Sequence, residues 1–235
     1  MALAKYGGGV IELRGSIAGN TYSANRYGRY VRARTKPINP DTPLQTEVRS
    51  ALAWCVEHWF SSASPEERIA WGDYADKVNM LNKLGEVMHL SGYNHFVRSN
   101  SIRKRNANTI VLPGPTTFNV PEHDPLFSFV CDEVSQELTV TFDDTEEWCT
   151  EVGAHLYIFV GSPQSPQRNH FAGPWKFGLA VDGVAEPGAT SPATVPSPFA
   201  LAEGQRVWIY GRISLADGRL SEPFRSGPTL VASGA

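Results

Sequence analysis

Cysteine is scarce in this chain: only Cys55, Cys131 and Cys149 occur among 235 residues, and no two of them have C-x-x-C spacing. This pattern excludes the disulfide-rich scaffolds of small secreted domains and the usual cysteine-based zinc sites. If the C-terminal half forms a sheet structure, Cys131 and Cys149 are the pair that could face each other in it. Buried, reduced thiols are nevertheless favoured for all three.

The sequence also lacks a long apolar run. No stretch approaches the roughly 18 apolar residues of a membrane span, and the first ten residues, MALAKYGGGV, lack the apolar core of a secretory signal. We therefore expect no membrane span and synthesis in a cytoplasm.

Motifs for catalysis, cofactors or metals are missing too. The six histidines are scattered, and His89 and His95, six residues apart, form only a weak candidate ligand pair. The acidic run 143–147 lacks the glycine and ligand alternation of a calcium loop, so an exposed acidic turn is favoured. No phosphate-binding or nucleophile-elbow motif occurs. The sequence predicts a protein that is not an enzyme and has no cofactor, metal or catalytic residue.

Charge is distributed unevenly along the chain. Residues 1–110 contain 15 basic and 9 acidic side chains, a net of +6, whereas residues 111–235 contain 6 and 15, a net of −9. Opposite charge in the two halves indicates two regions with different surfaces for partners.

The segment 15–49 contains the strongest signal. Small and turn-forming residues lead into a polar and aromatic stretch, which becomes basic without any acid up to Lys36. Pro37 and Pro40 disfavour helix in the residues before them, so the segment is expected to be an extended arm. The residues predicted to bind a partner are Arg26, Arg29, Tyr30, Arg32, Arg34 and Lys36.

A helical pattern follows the arm. Thr42 with Gln45 and Ser64 with Glu67 have capping-box spacing, and each pair encloses a proline at the first helical position. Ser91 is the expected cap of a third helix, which ends with three cations at 103–105.

Beyond residue 122 the apolar period changes from 3.6 to 2, with strand candidates at 127–130, 137–142, 155–160, 175–180 and 206–213, and a last strand after the Asp-Gly turn at 217–218. Residues 183–198, which include four prolines, are expected to form a long exposed loop. In the N-terminal arm, a pair of short strands is expected at 10–14 and 21–26.

The predicted fold is α+β and multidomain. It has an extended arm or β-hairpin (1–40), a small helical domain (41–110), a linker (111–122) and an antiparallel β-sandwich (123–235).

The basic arm has two interpretations. Arginines with Tyr22, Tyr27 and Tyr30 can follow a phosphate backbone while the rings stack on bases, or they can anchor a protein interface. A sequence pI near 6.1 favours protein contact. Trp54, Trp59 and Trp71 are expected in a helical core, and Trp148, Trp175 and Trp208 in the sandwich, where an aromatic sugar-binding platform is the alternative.

Residues 7–101 contain GSIAGNTYSANRYGRYVRARTKPINPDTPLQTEVRSAL, ERIAWGDYA and LSGYNHFVRSN in this order. They resemble a family of uncharacterised proteins encoded in structural gene clusters of tailed phages and prophages. The C-terminal part, which includes VWIYGRISLADGRLSEPF, resembles fibronectin type III or immunoglobulin-like domains.

These resemblances imply a virion component whose partners are other virion proteins and copies of itself, with nucleic acid as the less favoured partner. A neck or tail station is favoured over capsid decoration. The alternative of a different class is a carbohydrate or host-surface binding module.

Overall fold

The computed structural model describes residues 2–3, 8–26, 28–36, 38–82 and 85–233. Expectations for Tyr27, for Pro37 and for most of the lead at residues 1–9 lie outside this described part. The helices are α1 (Pro43–Ser61), α2 (Pro65–Lys77), α3 (Gly92–Arg105) and α4 (Glu147–Thr150). The strands are β1 (Ala2–Leu3), β2 (Gly15–Ile17), β3 (Asn20–Asn25), β4 (Gly28–Ala33), β5 (Met80–Leu81), β6 (Val87–Met88), β7 (Ser128–Asp132), β8 (Glu137–Thr141), β9 (His155–Gly161), β10 (Trp175–Asp182), β11 (Ala193–Pro196), β12 (Arg206–Ser214) and β13 (Phe224–Ala232). The fold is α+β.

The chain divides into two compact units. The arm unit comprises Met1–Thr46 and Leu81–Met88, and the main unit comprises Glu47–Met80 and His89–Ala235. Helices α2 and α3 and the large sheet therefore belong to the same unit. The domain boundaries expected at residues 40, 110 and 122 stay predictions.

Local capping explains where the helices begin. Glu67 N donates to Ser64 Oγ at 3.2 Å and Ser64 N donates to the Glu67 carboxylate at 2.7 Å, which completes the capping box of α2. At α1, Gln45 N donates to Thr42 Oγ1 at 3.4 Å, whereas Gln45 Oε1 is buried without a hydrogen-bond partner among the described residues. The predicted box at α1 is thus only half formed. Ser91 caps α3 as predicted.

The arm unit contains a four-stranded sheet in the order β1-β4-β3-β2. The prediction of a strand at 10–14 was wrong, because the described structure has no strand there. The strand that precedes β3 in the chain and pairs with it is β2, and the turn between them is at Ala18 and Gly19.

The main unit contains a seven-stranded sheet in the order β10-β9-β12-β13-β7-β8-β11. All described pairings are antiparallel except that of β7 with β13, which is parallel, so the sheet is mixed. A Cβ on Gly178 of β10 would lie 2.8 Å from Val195 on β11, which shows that the two edge strands approach each other and the sheet is nearly barrel-like. The antiparallel sandwich stays a prediction.

Strand β9 has a buried residue at each of its seven positions. Leu156, Ile158 and Val160 belong to the core enclosed by the sheet, whereas Tyr157 and Phe159 pack with Ile102 of α3 on its other face. Helix α3 therefore covers the outer face of the sheet at β9.

The prediction of a long exposed loop at 183–198 was wrong in part. Ala193–Pro196 form β11, which pairs with β8, and Val195 is fully buried.

Residues 111–122, the predicted linker, contain no helix or strand but are hydrogen-bonded to the helices. Trp71 Nε1 donates to Leu112 O at 2.9 Å, and Asn100 exchanges two hydrogen bonds with Val111. Gly114 packs so closely on Ala70 that a Cβ would meet its backbone at 2.6 Å.

Candidate interface on the basic arm

Strand pairing sets the positions of the arm side chains. In the register of β3 with β4, Thr21 lies opposite Arg32 and Ser23 opposite Tyr30. Because successive residues of a strand point to opposite faces, Tyr30 and Arg32 share one face of the sheet and Arg29 lies on the other. The backbone N–H of Arg34 donates to Gly19 O at 2.8 Å and extends this pairing beyond β4.

The two faces of the arm sheet differ in chemistry. The face of Arg32 also contains Ser16 and Thr21, whose hydroxyls are hydrogen-bonded to each other at 2.9 Å. The opposite face contains Val31 beside Tyr22. The predicted arginines are therefore divided between a polar face and a partly apolar face rather than gathered into one patch.

Exposure is the common property of the predicted site residues. Five of the six are exposed, namely Arg26, Arg29, Arg32, Arg34 and Lys36, whereas Tyr30 is half-buried. Large apolar side chains lie in the same unit without burial: Ile11 is 83% exposed, Ile17 58% and Ile38 89%. Cations next to exposed apolar side chains are typical of an interface with another protein.

No residue of the arm unit is buried, within residues 8–46 apart from 27 and 37 and within 81–88 apart from 83 and 84. Burial of apolar surface is the main favourable term in folding, and a sheet of short strands is marginal without it. The backbone hydrogen bonds of this sheet are thus formed without a core of its own.

Sequence reasoning missed the role of a buried arginine of the main unit, Arg103. Arg103 is 2% exposed, and its guanidinium donates to Thr109 O, Ser214 Oγ, Leu215 O and Gly153 O at 2.9 to 3.2 Å. Arg103 lies in the last turn of α3, as expected, and it also ties this helix to the sheet. A cation seven residues after Phe96, on the buried stripe of α3, was the available signal.

The weak metal candidates gain no support. Burial, with the positive charge of Arg98 as the next cause, lowers the pKa of His95 to about 4, and its ring lies edge-on to Tyr74. Asp143 accepts two hydrogen bonds from Thr145, which lower the pKa of its carboxyl. In the described part of the chain, no three His, Cys, Asp or Glu side chains are placed to hold a metal ion. The three cysteines are free and buried.

The aromatic side chains of the sheet form a row on its outer face. Trp175 is half-buried, its indole N–H donates to Ala172 O at 3.2 Å, and the guanidinium of Arg225 lies 5.4 Å from its ring centre. The row continues through Tyr210, which stacks on Phe159. The guanidinium of Arg225 thus lies over one face of the Trp175 ring, and the aromatic sugar-binding platform stays a prediction.

No protein-family model, curated protein or solved structure matches the chain. Within the ranges that the structure describes, none of the helices combines the length and the apolar character that crossing a membrane requires.

Proposed function

We propose that this chain is a non-enzymatic structural component of a tailed-phage virion, at a neck or tail-associated station. It docks on neighbouring virion subunits through its N-terminal arm and helical residues, and it displays an immunoglobulin-like β-sandwich. The motifs of residues 7–101 support the virion assignment by resemblance. The residues proposed to bind the partner are those of the basic arm: Arg26, Arg29, Tyr30, Arg32, Arg34 and Lys36.

No described residue of the arm sheet is buried, and this observation carries the proposal. Ordering each backbone residue costs about 1–2 kcal/mol, and the described residues of the arm unit form no core that would offset that cost. Contact with a second molecule supplies the missing burial. Strand β2 is exposed along its length at the edge of the sheet, so a partner strand can add to it.

The strand order supports the sandwich. The strands fall into two antiparallel groups, β7-β8-β11 and β10-β9-β12-β13, and the described residues join them by two parallel pairs, Val231 with Cys131 and Ala232 with Asp132. The first, second and fifth strands of the region thus form one group, and the third, fourth, sixth and seventh form the other. Constant-type immunoglobulin domains divide their strands in this way except for the fourth, which they place with the first, second and fifth.

Quantitative mass spectrometry of purified virions tests the proposal. Particles are collected from the bacterium whose genome encodes the chain. A copy number equal to one symmetric ring supports the neck or tail station, whereas hundreds of copies support the alternative of capsid decoration or a repeating tail component. Absence of the chain from the particles overturns the virion proposal.

A truncated chain that starts at Asp41 tests the role of the arm. We expect its main unit to stay folded and the chain to fail to enter particles. A full-length control with alanine at all five arm cations separates the contribution of charge from that of strand addition. If the truncated chain assembles as well as the full chain, the arm does not dock.

Nucleic acid is the second candidate partner, because the exposed side chain of Arg32 lies on the polar face of the arm sheet and the exposed Arg34 follows it in the chain. This candidate predicts DNA binding that weakens steeply with salt and is lost in the double variant Arg32→Ala and Arg34→Ala. Protein docking predicts DNA retention that is weak and that changes little in the double variant.

A further inference from the structure

A groove lies in the main unit between α1, α3 and the outer face of β9 and β12. Its volume is about 230 Å³. Phe159 and Tyr210, stacked at 4.6 Å, form its floor. Val48 and Leu52 of α1 form an apolar wall and are 44% and 48% exposed.

Three arginines line the same groove. Arg98 donates to Glu222 at 3.1 Å and to two backbone carbonyls, Leu220 O and Ser221 O. Arg105 donates to Glu47 at 3.0 Å. These two cations are thus neutralised by carboxylates within the unit.

Arg212 is the third arginine of the groove, and its situation differs. Its Nε is buried and has no hydrogen-bond partner among the described residues. Burial and the nearby Arg98 lower the pKa of its guanidinium to about 10. An unused donor on a guanidinium in partly apolar surroundings is costly for the fold, and the positive charge of this group favours a carboxylate beside it.

The charges of the groove favour a ligand with a single negative charge. Arg98 and Arg105 are balanced by Glu222 and Glu47, which leaves the one positive charge of Arg212. A polyanion is disfavoured, because residues 111–235 have a net charge of −9 from 6 basic and 15 acidic side chains. A carboxylate accepts two parallel hydrogen bonds from a guanidinium, and the apolar wall suits a flanking aliphatic side chain.

We infer that this groove binds an acidic peptide segment of a partner protein, with one Asp or Glu carboxylate on Arg212 and an adjacent apolar side chain against Val48 and Leu52. The groove belongs to the main unit, so this docking site is separate from the basic arm. It gives the chain a second contact with another protein, and it does not depend on the virion assignment.

Selection from a random dodecapeptide library on the immobilised full-length protein tests this inference. We expect the selected peptides to share an acidic residue next to a large apolar residue. Replacing that acid by its amide should weaken binding of the synthetic peptide about tenfold, since a hydrogen-bonded charge pair is lost. Selected peptides without a common acidic position overturn the inference.

Arg212→Met provides the matched protein variant, with Arg225→Met on the neighbouring strand as control. We expect Arg212→Met to lose the selected peptides while its Tm stays equal to or rises above that of wild type, because the substitution removes a half-buried guanidinium whose Nε has no hydrogen-bond partner among the described residues. Arg225→Met should keep both the peptides and the Tm. The peptides chosen on the wild-type protein should not be recovered on Arg212→Met.

Three results contradict the inference. Equal peptide affinity of Arg212→Met and wild type would show that the guanidinium does not bind the carboxylate. A Tm of Arg212→Met clearly below that of Arg225→Met would give Arg212 a role in the fold instead. Concentration-dependent self-association of wild type in sedimentation velocity, absent in Arg212→Met, would make a second copy of the chain the occupant of the groove.

Discussion

Val31 and Val160 both occupy the middle of a paired strand, yet their surroundings differ. Val160 of β9 is completely buried in the core of the main unit. Val31 of β4 is only half-buried, and no described residue of its sheet is buried. Both strands are paired with a neighbour on each side. The comparison teaches that pairing is common to both sheets and burial is not: the main unit has a buried core, whereas no described residue of the arm unit is buried.

The largest effect is expected for Arg103→Met. The variant removes four hydrogen bonds, of which those to Ser214 Oγ and Leu215 O are buried, so the free energy of unfolding of the main unit should fall by about 4 kcal/mol. Lys104→Met, at the exposed neighbouring position, should change it by less than about 0.5 kcal/mol. Urea titration followed by tryptophan fluorescence measures both. Equal losses in the two variants would show that burial of Arg103 does not matter.

A matched pair of substitutions tests the comparison directly. Val160→Ala removes two buried methyl groups and should destabilise by about 2.5 kcal/mol. Val31→Ala, in the arm sheet, should cost less than about 0.7 kcal/mol in the isolated protein. The arm substitution is expected to matter only in the assembled state. Similar losses in the isolated protein would mean that the arm unit is as well packed as the main unit.

His95 gives the main unit a pH dependence that the arm should not share. Burial lowers the pKa of His95 to about 4, so between pH 6.5 and 4 the unfolded chain binds more protons than the folded one. The free energy of unfolding therefore falls as pH falls through this window, by about 1.6 kcal/mol between pH 6.5 and 5. His95→Leu should remove this part of the decline in parallel denaturation curves. A decline of the same size in the variant would assign it to other groups.

The smallest effect is expected for the double variant Arg32→Ala and Arg34→Ala. Both side chains are exposed, so the free energy of unfolding should stay within about 0.5 kcal/mol of wild type while assembly is weakened. Differential scanning calorimetry provides the first measurement and particle incorporation the second. A large drop in Tm would mean that the two arginines stabilise the chain itself.

Local signals in the sequence predicted the parts of the fold that local chemistry determines. The cap at Ser64 with Glu67 and the alternation in β8 each depend on a few neighbouring residues, and the structure confirms them. Strand β11 was not predicted, because its four residues lie among prolines and become a strand only by pairing with β8, more than fifty positions earlier in the chain. The role of Arg103 was missed for the same reason, since its acceptors at Ser214 and Leu215 are remote in sequence.

The six residues of the candidate arm site were chosen from the sequence, and their role in binding stays a prediction. The six arm residues could be picked out because their charge and aromatic character stand out against the surrounding composition. Their division between two faces follows from the register of β3 with β4, which places Arg32 opposite Thr21 and Arg29 opposite Ala24. The groove arginines had no sequence signal, because α3 and β12 meet only in the folded chain.

The parallel contact of β7 with β13 has a mechanical consequence. In chain order β7 is the first strand of the large sheet and β13 is the last, and the two run side by side in the same direction. A pulling force applied beyond β13, while the segment before β7 is held, therefore acts along the strands and loads their hydrogen bonds in shear. Bonds loaded in shear have to yield together, whereas an antiparallel pair pulled from the same two points would open one bond at a time.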